Sequence, residues 1–279
     1  MIRKPAVAGA FYESDPDFLD ERIKWCFEHK LGPGKIPDEI GNERKIKGVV
    51  APHAGYMYSG PVAAHSYYEI AKDGFPETFV ILCPNHTGLG SGVSTMIEGE
   101  WETPLGAVRI DDEFAEKLAT TDIIDPNPEA HLQEHSCEVQ IPFLQYFNRD
   151  FKIVPICMWM QDLDTAYEVG ISISKAAEEL GTDVLVIASS DFTHYEPQDV
   201  AFQKDMEVLD AIEAMDEKLM IRRVSDLNVT MCGYGPVAST IVAAKELGAS
   251  NGEIIKYATS GDITGDYYSV VGYASVVFW

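Results

Sequence analysis

Short, continuous apolar runs alternate along this chain with longer segments that have helical spacing. The clearest run is Phe79-Val80-Ile81-Leu82-Cys83, in which neither face of a strand would be polar. Such strands are covered on both faces, which is typical of parallel sheets with helices above and below. The alternation therefore predicts an α/β fold: a single domain, residues 1–279, with a central mixed, largely parallel sheet flanked by helices.

Cap residues and turn residues predict where the elements begin and end. The first helix is expected to begin at Ser14-Asp15-Pro16 and to end at Gly32-Pro33-Gly34. The predicted strands are 46–51, 78–83, 151–156, 183–188, 253–259 and 269–278, with hairpin material in 91–110. The other predicted helices are 61–72, one from 111, 134–147, 164–180, and helical stretches in 198–222 and 235–247. The short loop between the last two strands indicates that they pair antiparallel.

The charge balance limits the partners that this surface can attract. Lys and Arg number 21 against 45 Asp and Glu, which gives a net charge of −24. Such a surface repels phosphate backbones and anionic lipids, so we expect neither nucleic acid nor a membrane as partner. Five cysteines without a CxxC pair, and an opening segment without a continuous apolar core, favour a reduced, cytoplasmic protein.

Polar, reactive side chains directly follow three of the predicted strands. His53 comes after strand 46–51, His86 after strand 78–83, and Ser189-Ser190-Asp191-Phe192-Thr193-His194 after strand 183–188. Ligands of open α/β sheets bind outside the carboxyl ends of the strands, so these groups are expected to converge. One histidine after a strand is more often a surface or capping residue, but two with a carboxylate or thiolate can hold a metal.

The remaining histidines have several interpretations. His131 and His135 are one helical turn apart but lack the HExxH order of a hydrolytic zinc helix. His135, with Glu138 on the same predicted helix face, is expected beside the metal or facing the substrate. His131 is expected at the surface, and His65, within an apolar helix, in the core.

One cysteine differs from the other four. Cys26, Cys83, Cys137 and Cys157 have apolar neighbours and are expected to be core thiols. Cys232 lies in a glycine-flanked turn just before a predicted helix, where the helix N-terminus would lower the pKa of a thiol. Cys232 is therefore a candidate functional residue.

Taken together, these motifs resemble the Memo family. The matching segments are Ala8-Gly9-Ala10-Phe11-Tyr12, Ala51-Pro52-His53-Ala54-Gly55-Tyr56-Met57-Tyr58-Ser59-Gly60, Pro84-Asn85-His86, Glu134-His135-Ser136, Ser189-Ser190-Asp191-Phe192-Thr193-His194 and Met231-Cys232-Gly233. They occur in the family's order and span nearly the whole chain. The resemblance implies a fold similar to class III extradiol dioxygenases, in which two histidines and a carboxylate hold Fe(II).

The resemblance also implies a role for each matching residue. His53 and His86 would be the imidazole ligands of a single metal ion, with Cys232 as the third ligand where the dioxygenases have a carboxylate. Thiolate softens such a site, so Fe(II) is expected, with Cu or Zn as alternatives. His194 would be the acid/base histidine, with Asp191 beside it.

The substrate side of the site follows from the same comparison. Phe11 and Tyr58 would line the vestibule, with His135 and Glu138 also on the substrate side. A small molecule or a peptide is the expected occupant of the cleft. Archaeal and bacterial members are often described alongside a radical-SAM enzyme, which is therefore an expected partner.

Two other functions compete with metal-dependent oxygenase-like chemistry. Eukaryotic members are linked to cell motility, so the cleft is alternatively a non-enzymatic binding or scaffold surface for a peptide or partner protein. A nucleophilic or zinc hydrolase is the third hypothesis, and it requires the Cys232 thiol within hydrogen-bond reach of His194.

Overall fold

The computed structural model describes residues 1–279. Its strands are β1 (Ile2–Arg3), β2 (Gly48–Ala51), β3 (Thr78–Pro84), β4 (Val93–Thr95), β5 (Glu100–Thr103), β6 (Gly106–Ile110), β7 (Asp125–Pro126), β8 (Lys152–Met158), β9 (Val184–Ser189), β10 (His194–Glu196), β11 (Gly252–Thr259) and β12 (Val270–Phe278). Its helices are α1 (Pro16–Glu28), α2 (Tyr56–Asp73), α3 (Asp112–Leu118), α4 (Ile141–Phe147), α5 (Leu163–Leu180), α6 (Gln198–Glu213), α7 (Glu217–Asp226), α8 (Tyr234–Glu246) and α9 (Ser260–Thr264). Two 3₁₀ turns cover Pro128–His131 and Glu138–Gln140. None of the helices combines the length and the hydropathy that crossing a bilayer requires.

One twelve-stranded sheet takes in elements from both ends of the chain. Its main order is β1-β5-β6-β8-β3-β9-β2-β12-β10, and the five consecutive strands from β6 to β2 are parallel. β12 runs antiparallel to β2 and to β11, so the predicted pairing of the two closing strands is confirmed. The predicted mixed, largely parallel sheet is confirmed as well.

Helices cover the central strands on both faces. Val49 and Val50 are neighbours on β2 and therefore point to opposite faces of the sheet. Val49 belongs to a buried cluster with Tyr67 of α2, whereas Val50 belongs to another with Ile241 of α8. This double coverage explains why the central strands are apolar along their whole length.

Helix α2 begins earlier than the sequence predicts. The carbonyl of Gly55 accepts hydrogen bonds from the amides of Tyr58 and Ser59, so the helix starts at Tyr56 and not at 61. Pro61 lies inside the helix, where it removes a single amide donor one turn from the N-terminus. The predicted helix start was therefore wrong by five residues.

The predicted helix 134–147 is also corrected. Only Ile141–Phe147 is α-helical, preceded by a 3₁₀ turn, and residues 134–137 are irregular. The Glu134 side chain accepts hydrogen bonds from the amide and hydroxyl of Ser136, and such local bonds compete with helix formation. His135 and Glu138 consequently do not share a helix face.

A buried ion pair fastens the N-terminal segment to this irregular region. Arg3 pairs with Glu138, and both side chains are fully buried. The second Glu138 oxygen accepts hydrogen bonds from the Tyr12 hydroxyl at 2.5 Å and the Val7 amide at 3.1 Å. Glu138 was expected on the substrate side, but its carboxylate is occupied inside the protein, so this expectation is corrected.

His131 is a second correction in the same region. It was expected at the surface, but its side chain is fully buried against the edge of Trp101, with ring centroids 5.7 Å apart. Its carbonyl accepts a hydrogen bond from Arg3 Nε at 3.1 Å. The same guanidinium lies 4.4 Å from the centre of the Trp101 ring, so the arginine organises the surroundings of His131.

We expect Arg3→Met to destabilise the protein by about 3–5 kcal/mol, because it leaves the Glu138 carboxylate buried without its cation. The measurement is the free energy of unfolding in urea. The matched control is Lys4→Ala, which removes an ion pair with Glu102 from a lysine side chain that is 69% exposed. This control should change stability by at most about 1 kcal/mol. Equal losses in the two variants would contradict the prediction.

Candidate metal centre

Three histidine rings meet beyond the carboxyl ends of the central strands. His53 follows β2, His86 follows β3, and His135 lies in the irregular segment before α4. One ring nitrogen from each lies within 4.8 Å of the others. The ring centroids are 5.2 Å apart for His53 and His86, and 4.7 Å apart for His86 and His135. The predicted convergence of His53 and His86 is therefore present, and His135 joins them as a further possible ligand.

The protonation of the His53 ring follows from a count of hydrogen bonds at Ser189. The Ser189 hydroxyl donates its hydrogen to the Ser136 carbonyl at 2.7 Å and accepts a hydrogen bond from Nε2 of the Gln140 side chain at 2.8 Å. Its remaining contact is His53 Nδ1, at 2.8 Å. A hydroxyl has only one hydrogen to give, so Nδ1 must be the donor there. The Nε2 lone pair of His53 is thereby left free to bind a metal.

The Glu134 carboxylate sets the ring orientation of the other two histidines. Its Oε1 lies 2.9 Å from His86 Nδ1 and 3.3 Å from His135 Nδ1, and its Oε2 accepts the His86 amide at 2.6 Å. Burial alone would raise the pKa of Glu134, but its hydrogen bonds with His86 and Ser136 outweigh that and lower it to about 2. The ionised carboxylate therefore accepts a hydrogen bond from Nδ1 of His86 and leaves Nε2 of that ring free. Carboxylate–histidine pairs of this kind orient metal ligands.

The charge states of the rings also suit metal binding. Burial lowers the pKa of His53 well below its usual value, and burial lowers that of His135 to about 4. Both rings are therefore neutral near pH 7, the form that binds metals. Burial also acts to lower the pKa of His86, but the hydrogen bond and the charge of Glu134 outweigh it and raise the pKa above 6.5.

Cys232 contacts His53 from the turn before α8. Its Sγ lies 3.2 Å from His53 Nε2 and accepts the Asp191 amide at 3.3 Å. The next residue, Gly233, lies so close to the β9 loop that a Cβ there would meet the Ser189 carbonyl at 2.5 Å. This close approach explains why glycine follows the cysteine.

The sequence predicts a lowered pKa for the Cys232 thiol, and the structure corrects this prediction. Burial raises the pKa of the Cys232 thiol far above its usual value, and the Asp191 carboxylate raises it further. The nearby helix N-terminus does not outweigh these effects. The raised pKa favours the protonated thiol, and a bound cation would stabilise its thiolate.

Asp191 connects the β2 and β9 loops. Its Oδ1 accepts the backbone amide of His53 at 2.9 Å, while its own amide donates to the sulfur of Cys232. Burial raises the pKa of Asp191 to about 6, although the His53 amide acts in the opposite direction. Asp191 thus holds two of the predicted ligands in position.

His194 is half-buried, and its backbone and ring are both fastened to Thr230. Its Nδ1 lies 2.8 Å from the Thr230 carbonyl, which can only accept, so Nδ1 is the protonated nitrogen. In the neutral tautomer that makes this hydrogen bond, Nε2 is the acceptor. The hydrolase hypothesis required a hydrogen bond between Cys232 and His194, but the imidazole that contacts the thiol is that of His53.

The two predicted vestibule residues occupy different positions. The Phe11 ring packs against His135, with ring centroids 4.7 Å apart. The Phe11 carbonyl accepts the amide of Tyr56, which fixes the N-terminal segment beside the start of α2. Tyr58 lies in the first turn of α2 with 40% of its surface exposed.

Sequence reasoning missed the residues that orient the ligands. Glu134 and Ser189 belong to the matching segments Glu134-His135-Ser136 and Ser189-Ser190-Asp191, but no role was predicted for either. Gln140 had no sequence signal at all. Adjacency to His135 was the one available hint for Glu134.

Comparisons with known proteins agree over nearly the full length of the chain. A family model described as Memo-like protein matches residues 3–277. A MEMO1 family protein of Methanothermobacter thermautotrophicus is 61% identical over 275 residues, which cover 98% of this chain and 99% of that protein. Another from Methanopyrus kandleri is 58% identical over 280 residues, covering 100% of this chain and 99% of the other. Among solved structures, an uncharacterised protein of Escherichia coli K12 matches 84% of this chain and 100% of its own, with TM-score 0.53 and 15% identity, which shows similarity of fold alone.

We expect Glu134→Gln to lower the pKa of His86 in metal-free protein, because glutamine keeps the size of the side chain but removes its charge. The measurement is an NMR titration of the histidine ring signals. His65 is the internal control, since its Nε2 is hydrogen-bonded to the Leu31 carbonyl and not to Glu134. An unchanged pKa of His86 would show that Glu134 does not set its protonation.

Proposed function

The chain belongs to the Memo family, and from this premise we propose that it is a metal-dependent redox protein with oxygenase-like chemistry. Its single ion would be held by His53, His86 and Cys232, and Fe(II) is the metal that we propose. The observation that carries this proposal is the convergence of three imidazoles with ring nitrogens within 4.8 Å of one another. Nδ1 of His53 and Nδ1 of His86 are engaged by protein oxygens, which leaves Nε2 of both rings for a metal.

The donor set fits such an ion. The 3.2 Å between Cys232 Sγ and His53 Nε2 is close to the ~3.5 Å that separates a nitrogen and a sulfur ligand on one tetrahedral metal ion. Imidazole and thiolate suit iron, copper and zinc, and the resemblance to class III extradiol dioxygenases favours iron. A bound Fe(II) would supply redox chemistry toward O₂.

The residues of the chain would supply proton transfer and shape. The hydrogen bond of His194 Nδ1 to the Thr230 carbonyl leaves Nε2 as an acceptor, so we assign His194 the removal of a proton from a substrate hydroxyl. Asp191 would keep His53 and Cys232 in position, because its carboxylate accepts the His53 amide and its own amide donates to the Cys232 sulfur. Phe11, Tyr58 and His135 would line the approach of a small aromatic diol, of which catechols are the simplest.

A second candidate function is partner binding at the same edge of the sheet. Large apolar side chains are exposed in segments that follow the central strands: Leu89 at 48% and Trp159 at 62% in loops, and Tyr195 at 77% in β10. Exposed apolar groups that cluster are typical of protein contact sites. The family association makes a radical-SAM enzyme the partner to test, and a metal-free His53→Ala protein that still bound it would favour this function.

We expect nearly one metal ion per chain after anaerobic purification, and loss of that ion in His53→Ala and in His86→Ala. Each substitution removes one imidazole nitrogen from the proposed donor set. The measurement is elemental mass spectrometry, with His29→Ala, at the end of α1, as the matched histidine control. A wild-type site that stays empty after Fe(II), Cu and Zn are added would refute the metal assignment.

The absorption spectrum of the Co(II)-loaded protein separates Cys232 from His135 as the third ligand. With Co(II) in the site, a thiolate ligand produces a sulfur-to-metal charge-transfer absorption that Cys232→Ser should abolish. His135→Ala should retain this absorption if the imidazole only adjoins the ion. An absorption that is absent from the wild type, together with metal loss in His135→Ala, would assign the third position to His135.

We expect His194→Gln to retain the metal while lowering any oxygen consumption with a catechol by about 10²–10⁴-fold, the usual contribution of a general acid or base. The measurement is O₂ uptake by the iron-loaded protein across a panel of catechols. Thr230→Val is the companion variant, since it removes the hydroxyl that accepts the His194 amide but leaves the ring in place. If a catechol is oxidised by the wild type and His194→Gln oxidises it at the same rate, His194 is not the acid or base of the reaction.

A further inference from the structure

A surface cavity separate from the metal centre lies where α6, β11 and α9 meet. Its volume is about 720 Å³, within the ~300–1,000 Å³ typical of small-molecule sites. Residues from the first two turns of α6, from the end of β11 and from α9 and its following loop line it. None of them belongs to the candidate metal centre.

Aromatic rings form the walls of this cavity. Phe202 and Tyr257 stand nearly at right angles, with ring planes at 72° and centroids 5.7 Å apart. Tyr257 is fixed because its hydroxyl donates to the buried Asp205 carboxylate at 2.7 Å. Tyr267 lies against Gly261, where an added Cβ would come within 2.8 Å of its ring. Phe202 is 50% exposed and Tyr267 is 51% exposed, so ring surface is available to a ligand.

The charges around the cavity have one sign. Asp199 lies in the first turn of α6, and Asp262, in the first turn of α9, accepts the Thr259 amide at 2.8 Å. The other polar side chains of the lining include the uncharged Gln198 and Gln203, and the lining contains no lysine or arginine. With a net charge of −24 on the whole chain, an anion would be repelled and a cation attracted.

We propose that this cavity binds a small organic cation of the alkylated ammonium class. Aromatic faces attract cations through their negative quadrupole, and they do so best when the cation is bulky and weakly hydrated. Phe202 and Tyr267 are each about half exposed, so both offer ring surface for such a group to contact. The two carboxylates balance its charge without a close ion pair.

Choline and its neutral analogue, in which carbon replaces the nitrogen, test the proposal because the two molecules share size and shape. The measurement is an NMR titration of the purified protein with each compound. We expect choline to bind about fivefold more tightly or better, the difference that a cation–π contact of moderate strength gives. Equal affinity for the two compounds, or no detectable binding of choline, would overturn the proposal.

Two variants locate the binding. Phe202→Leu keeps an apolar side chain but removes a ring, so it should weaken choline binding about threefold or more and change binding of the neutral analogue little. Asp199→Asn should weaken choline binding and reduce its dependence on salt. The matched control is Phe18→Leu, a 63%-exposed phenylalanine on α1. Choline binding that is unchanged in Phe202→Leu would place the cation elsewhere on the acidic surface and overturn the proposal.

Discussion

Parallel pairing of β2, β9 and β3 sets the positions of His53, His86 and Asp191 in the candidate metal centre. Ala51 lies opposite Ser189, and Leu82 lies opposite Ala188, so the three strands end at nearly the same level of the sheet. The loops that follow therefore begin side by side, although their residues are far apart in sequence. A slip of one residue in this register would turn Ser189 to the other face and remove the acceptor of His53 Nδ1.

The side chains that contact the imidazoles set which ring nitrogen carries the proton. Ser189 orders the His53 ring because its only hydrogen is already donated to the Ser136 carbonyl. Glu134 orders the His86 ring because hydrogen bonds keep the carboxylate ionised despite its burial. In both cases a protein oxygen takes Nδ1, and Nε2 stays available. The thiol of Cys232 differs, since burial opposes its ionisation until a cation is present.

Sequence patterns predicted the fold better than they predicted local geometry around the site. The predicted central strands were confirmed, because a strand that is buried on both faces is apolar along its whole length and is therefore visible in the sequence. The predicted helix was wrong over residues 134–140, because hydrogen bonds between Glu134 and Ser136 replace helical ones. The spacing of apolar residues in the sequence does not reveal such local hydrogen bonds. Glu138 was misassigned for a related reason: its partner Arg3 is 135 residues away.

The sequence by itself determined the α/β architecture, the family, and the candidate ligands His53 and His86, since strands that end in reactive residues are visible as local patterns. The tertiary structure decided which groups meet: that His135 joins these two rings and that Cys232 contacts His53 and not His194. It also decided that Phe202 and Tyr257 pack edge to face in the lining of a second cavity. Contacts of this kind depend on strand order and loop approach, and these are set by packing over the whole chain and not by any single segment.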